Sequence, residues 1–73
     1  MTTMKSLTHI TEGTDENGNT YKEVRTQDFT QSKTKVTNVY YFNGLKVTKY
    51  QRFTVSSWID NNFNNCEFKE IRK

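Results

Sequence analysis

The sequence predicts a small α+β domain: an antiparallel sheet of three to four strands with one helix packed on one face. Three observations carry this expectation. Thr is the commonest residue, at 12 of 73, and Ala is absent, which favours pleated surfaces over a helical bundle. Asn43-Gly44 stands between two apolar runs, the strongest short-range signal for a hairpin. Thr48 and Gln51 then form a T-x-x-Q capping box directly after that hairpin, a helix-start signature. The length of 73 residues allows one domain over residues 1–73.

Residues 1–5 are a polar start, expected to fray. Residues 6–12 read as a first strand, with Leu7 and Ile10 as its apolar members. Residues 13–19 form a turn rich in Gly, Asn and Asp, where Asn17-Gly18 supplies positive φ. Residues 20–30 alternate without an apolar face and predict a second, largely solvated strand. Tyr21, Glu23, Arg25, Gln27 and Phe29 lie on one side of it. Residues 35–42 are the clearest strand, rich in Val, Tyr and Phe. A two-residue turn at Asn43-Gly44 sets Phe42 opposite Leu45, Tyr41 opposite Lys46 and Tyr40 opposite Val47. Tyr40, Phe42, Leu45 and Val47 then share one face, while Tyr41 and Lys46 share the other with Lys33, Lys35 and Val39.

Residues 45–55 admit two readings. As a continued strand they close a small all-β barrel. As a helix they start from Thr48 and run from Lys49 to about Asn62, and this is the preferred reading. The apolar residues Tyr50, Phe53, Val55, Trp58 and Ile59 form no narrow stripe, and a shorter helix could start at Ser57-x-x-Asp60. Asn residues at 61–65 suit a helix end in the left-handed conformation. Residues 66–71 read as the last strand.

Aliphatic residues are scarce, so the aromatics must form most of the core. Ordering 73 residues costs on the order of 110 kcal/mol, and no disulfide is possible with one cysteine. One or two aromatics are therefore expected to remain outside for function. Trp58 is expected as the anchor between helix and sheet. A small chain without staples also invites a homodimer or a permanent partner.

The formal charge of +3 is unevenly placed. Residues 1–28 carry three basic and five acidic side chains, residues 29–59 five basic and no acidic, and residues 60–73 three of each. The acid-free stretch holds Lys33, Lys35, Lys46, Lys49 and Arg52, with three of the four tyrosines. Cations with interleaved aromatics suit single-stranded nucleic acid. They also suit an acidic protein partner, and lysines on a hairpin serve equally as a solvated surface that discourages edge pairing. The candidate partner- or nucleic-acid-binding residues are Lys33, Lys35, Tyr41, Lys46, Lys49 and Arg52.

No catalytic constellation is expected. Cys66 and His9 are the only thiol–imidazole pair, and nothing in the sequence places them together. Cys66 reads as a half-buried small apolar residue and His9 as an exposed strand residue. The run 15–19 lacks the ligand spacing of an EF-hand. Neither a metal nor a cofactor is expected. No apolar run approaches the roughly 20 residues that span a bilayer, and residues 1–11 lack the apolar region of a secretory signal. A cytoplasmic location is expected.

The stretch Tyr40-Tyr41-Phe42-Asn43-Gly44-Leu45-Lys46-Val47-Thr48, leading into a helix that ends near Trp58-Ile59, resembles a pattern in small accessory proteins of large tailed phages. The likeness spans residues 40–62. The Lys- and Asn-rich, Ala-free composition fits AT-rich viral genomes. The resemblance implies a non-enzymatic inhibitor of host machinery, such as restriction or CRISPR nucleases, toxin ribonucleases or polymerases, in some cases acting with RNA. It carries over no catalytic residues. The leading expectation is thus a binding protein that occupies a surface of a host defence or nucleic-acid-processing protein in the host cytoplasm. The alternative is an RNA- or single-stranded DNA-binding module using the same hairpin face. A third is a self-associating structural protein with Tyr50 and Trp58 at its interface.

Overall fold

A computed structural model describes residues 4–73 of the chain. Strands β1 (Ser6–Thr14), β2 (Thr20–Asp28), β3 (Lys35–Phe42), β4 (Leu45–Lys46) and β5 (Glu67–Arg72) form one antiparallel sheet in the order β4-β3-β2-β1-β5. Helix α1 (Lys49–Asn61) lies across one face and is followed by a 3₁₀ turn at Phe63–Asn65. This is the expected α+β architecture. The strand beyond the expected three to four is β4, the two-residue return of the hairpin. Of the frayed start expected over residues 1–5, residues 1–3 lie outside the described residues. Lys5 is tied down, since its N–H donates to Lys73 O and its carbonyl accepts from Phe29 N–H.

Asn43 (φ 53°) and Gly44 (φ 82°) give the two-residue turn that a hairpin's twist requires. The register is the expected one: Tyr41 faces Lys46, Phe42 faces Leu45, and Val47 N–H donates to Tyr40 O. The turn between β1 and β2 is built differently from expectation. Asn17 keeps negative φ and only Gly18 (φ 86°) is left-handed. Gly18 N–H donates to Asp15 O, and Asp15 N–H to Asn19 O, a type I turn closed by a left-handed residue. The two turns are stitched side by side. Thr20 N–H donates to Asn43 Oδ1 at 2.8 Å, and Asn43 Nδ2 donates to Asn19 Oδ1 at 3.2 Å.

Residues 45–55 are helical from Lys49, which settles the ambiguity in favour of the long helix. Its ends differ from the expected chemistry. Thr48 caps through its carbonyl, which accepts from Gln51 and Arg52 N–H, and its side chain makes no capping bond. At the other end Asn62 stays on the right-handed side (φ −123°). Its backbone N–H reaches Trp58 O and Ile59 O, and its Nδ2 donates to Trp58 O at 2.9 Å. With those carbonyls satisfied, no left-handed residue is needed.

The core is small. Tyr21, Val55 and Ile59 are its buried hydrophobics, with Tyr40, Phe42, Val47 and Trp58 packed against them. Trp58 is the anchor expected. Its indole stacks on the Tyr21 ring at 4.1 Å and 9°, and Phe42 meets Tyr21 edge-on at 5.2 Å. Gly13 seats the indole and belongs to β1, not to the turn. Strand β2 is the central strand and is mostly half-buried, where a largely solvated strand was expected. The aromatics are not mostly committed to the core. Phe29, Tyr50, Phe53, Phe63 and Phe68 are all exposed, where one or two were expected outside. No described helix is long and apolar enough to cross a membrane.

Candidate interaction surface

The sheet has a covered face and an open one, and residue parity decides which is which. Odd residues of β1 and β2 and even residues of β3 and β5 face the helix. The opposite set faces away from it. Ile10, Val24 and Val39 stand in one cross-strand row of the open face, with Thr8, Thr26 and Thr37 in the next.

Against this frame the six sequence-predicted residues do not share one face. Lys35, Tyr41 and Lys46 project from the open face. Lys33 lies in the bend before β3. Lys49 and Arg52 sit on the first turns of α1, on the helix side of the sheet, with the Arg52 guanidinium 5.3 Å from the Tyr40 ring centroid. They do share one edge. The strand order places β3, β4 and the start of α1 together at one side of the sheet, so every cation of the acid-free segment gathers there. Two acids of β2 are paired to that edge in the β2–β3 register, Glu23 opposite Tyr40 and Asp28 opposite Lys35. At Asp28, the hydroxyl and N–H of Thr30 donate to the carboxylate and hold its pKa below the usual range, with Lys35 adding to the effect.

The open face near the turns carries both signs. Glu67, Glu12, Lys22, Tyr41 and Lys46 follow one another across the strands, and the Lys22 ammonium lies 5.7 Å from the Tyr41 ring centroid. A wide cleft of 710 Å³ at this end is lined in part by Glu12, Lys22, Tyr41 and Glu67. Two carboxylates in the row oppose a phosphate backbone, and each offsets a nearby cation.

The surface that sequence reasoning caught only in part is the outer side of α1, where it named Lys49 and Arg52 as contacts and Tyr50 for self-association but not Phe53. Leu45 is 74% exposed, Tyr50 90% and Phe53 81%. Tyr50 and Phe53, three apart, stand on the side of the helix opposite Val55 and Ile59. Beside them Tyr40, Lys49, Arg52, Phe53 and Ser56 line a shallow groove of 300 Å³ between helix and β3. The signal was present in the sequence. The apolar residues of the helix form no single stripe because they form two, one for the core and one for solvent.

Several titratable groups away from this edge have structural partners. His9 Nε2 donates to Glu70 Oε1 at 2.9 Å, and Arg72 Nε to Glu70 Oε2 at 2.9 Å. Burial pushes the Cys66 thiol up, and its Sγ donates to Asn62 O at 3.3 Å. His9 sits four residues along β1 from Gly13, where Cys66 packs, about 13 Å at strand spacing. Burial also raises Glu23, beneath the helix, and the charge of Asp60 raises it further while Arg25 opposes both. No protein-family model matches the chain, and no curated protein or solved structure matches it either.

Proposed function

We propose that this chain is a non-enzymatic binding protein that works by occupying a surface of a larger protein. The observation that carries this reading is the exposure of Leu45, Tyr50 and Phe53 within one short segment, where Lys46, Lys49 and Arg52 are interleaved with them. Large aromatics with an adjacent arginine are the anchors that dominate protein interfaces. Keeping them in water weakens a core that is already small, so a partner that covers them explains their placement. The resemblance over residues 40–62 supplies the class of target: a host defence or nucleic-acid-processing protein, with the chain as a phage-encoded inhibitor.

The test is affinity capture from bacterial extract, with and without nuclease. Wild type and the double variant Tyr50→Ser, Phe53→Ser are compared. The expected result is a protein partner retained after nuclease and lost with the double variant. A partner recovered equally by both proteins would place the interface elsewhere. Loss of all binding on nuclease treatment would favour the nucleic-acid reading.

A further inference from the structure

The chain leaves a strand position in its own sheet half filled. Strand β4 pairs with β3 only at Tyr41–Lys46 and Phe42–Leu45. Val47 adds one bond to Tyr40 O, and at Thr48 the chain turns away into α1. The rest of β3, from Lys35 to Val39, pairs with β2 on one side and with no described strand on the other. Backbone groups in an antiparallel strand alternate between its two neighbours. Since Tyr40 O is turned toward Val47, the even residues of β3 point outward. Val36 and Asn38 therefore present their N–H and C=O groups at an open edge.

We propose that this edge receives an extended acidic segment of the partner protein, which pairs with Val36 and Asn38 as an added strand. The inference rests on the binding reading above and names the chemistry of the partner. Two observations select the occupant. Lys33 and Lys35 flank one end of the open stretch and Lys46, Lys49 and Arg52 the other, while Val36 to Val39 between them carry no charge. A carboxylate-bearing strand finds cations at both ends. A second copy of this chain would instead bring two such clusters together. Second, the groove of Tyr40, Lys49, Arg52, Phe53 and Ser56 opens beside this lane on the helix side. It would take alternate side chains of the incoming strand, as strand-addition sites do. Phosphate can accept from the outward N–H groups, but a DNA backbone carries no donor for the outward carbonyls, which an added strand satisfies as well.

The probe is a fluorescein-labelled short peptide alternating glutamate and valine, read by anisotropy on the full chain. A lysine–valine peptide and an oligothymidylate serve as comparisons. Asn38→Pro removes one outward N–H without touching the β2–β3 ladder, a change that edge strands tolerate. Loss of that bond is expected to weaken the acidic peptide about tenfold. Lys33→Glu with Lys35→Glu is expected to weaken it at least as much, and this pair keeps the test decisive if the proline variant does not fold. Amide exchange is expected to show new protection of Val36 and Asn38 when the acidic peptide binds. The proposal is overturned by peptide binding without that protection, or by equal binding of the lysine–valine peptide. Oligothymidylate displacing the peptide from the edge overturns it as well, as does protection of both amides in a self-associated free protein. If capture from extract needs Tyr50 and Phe53 but ignores Asn38→Pro, the edge proposal fails while the binding reading stands.

Discussion

Gly13 lies against the indole of Trp58, and a methyl group there has nowhere to go. An added Cβ would stand 2.9 Å from Trp58 Cζ3 and 2.9 Å from Cys66 Sγ. The indole is also stacked on the Tyr21 ring, which limits how far it can shift. Gly13→Ala is expected to destabilise the fold by about 1–3 kcal/mol, as overpacking does. In a Trp58→Leu background the same change should cost clearly less, since the two sites share one space. Urea denaturation of the four proteins checks this, and equal costs in both backgrounds would refute it. Asp15 shows a second kind of residue-level control. Burial works against its charge, yet donors from Asn17, Asn19 and Tyr21 outweigh that and keep its pKa low. Glu70 is also held low, first by the hydrogen bond from His9 and then by Arg72. A carboxylate depressed in the folded state contributes stability that is present above its unfolded pKa and lost as pH falls through the folded one. Melting temperature should therefore drop on acidification through pH 4, and Glu70→Gln should flatten that drop. An unchanged acid limb in the variant would show that the β1–β5 clasp does not contribute.

The helix divides its apolar residues between two jobs. Val55 and Ile59 are 1% and 2% exposed, and Tyr50 and Phe53 face the opposite way. Ile59→Ala should cost about 2–5 kcal/mol, a large part of the roughly 4–11 kcal/mol expected for a chain of this length. Tyr50→Ser and Phe53→Ser should each stay within about 0.5 kcal/mol. Chemical denaturation separates them, and a comparable loss at Phe53 would mean that it packs inward. Thr48, Gln51 and the preceding turn made a helix from Lys49 the preferred reading, because those signals are local, but a strand over residues 45–55 stayed open until the fold decided it. Its end chemistry was not legible. The Asn62 amide satisfies carbonyls that a left-handed residue would otherwise have to relieve, and that choice depends on how the chain must descend to β5.

At the scale of the molecule, surface and charge agree. The accessible area is 5824 Å², against about 4,700 Å² for a compact monomer of this mass. The radius of gyration is 13.7 Å, against about 11 Å for this length. The excess of about 1,100 Å² exceeds the roughly 800 Å² that one partner contributes to a standard interface. A one-layer sheet with a single helix and two free edges leaves that area in water. Five of its eleven cations, those of the acid-free segment, gather at one edge, so association with an acidic partner should be steered. Raising salt from about 0.01 M to about 0.15 M shortens the screening length from about 30 Å to about 8 Å. The association rate should then fall about tenfold with little change in dissociation. Stopped-flow kinetics test this, and a salt effect confined to dissociation would contradict it.

The amino-acid sequence alone was enough for the strands, the Asn43-Gly44 hairpin with its register and the acid-free basic segment, and it left residues 45–55 open between strand and helix. Each of the first three depends on neighbours a few residues away. Only the tertiary structure decided which strand is central, which aromatics stay outside and where the cations meet. The sheet order β4-β3-β2-β1-β5 buries polar-looking β2 in the middle and carries Lys35 and Arg52 to opposite faces of one edge. No local pattern encodes that order. It arises because β5, last in the chain, pairs with β1, first in the chain, and a contact over some 60 residues is chosen by packing rather than by propensity.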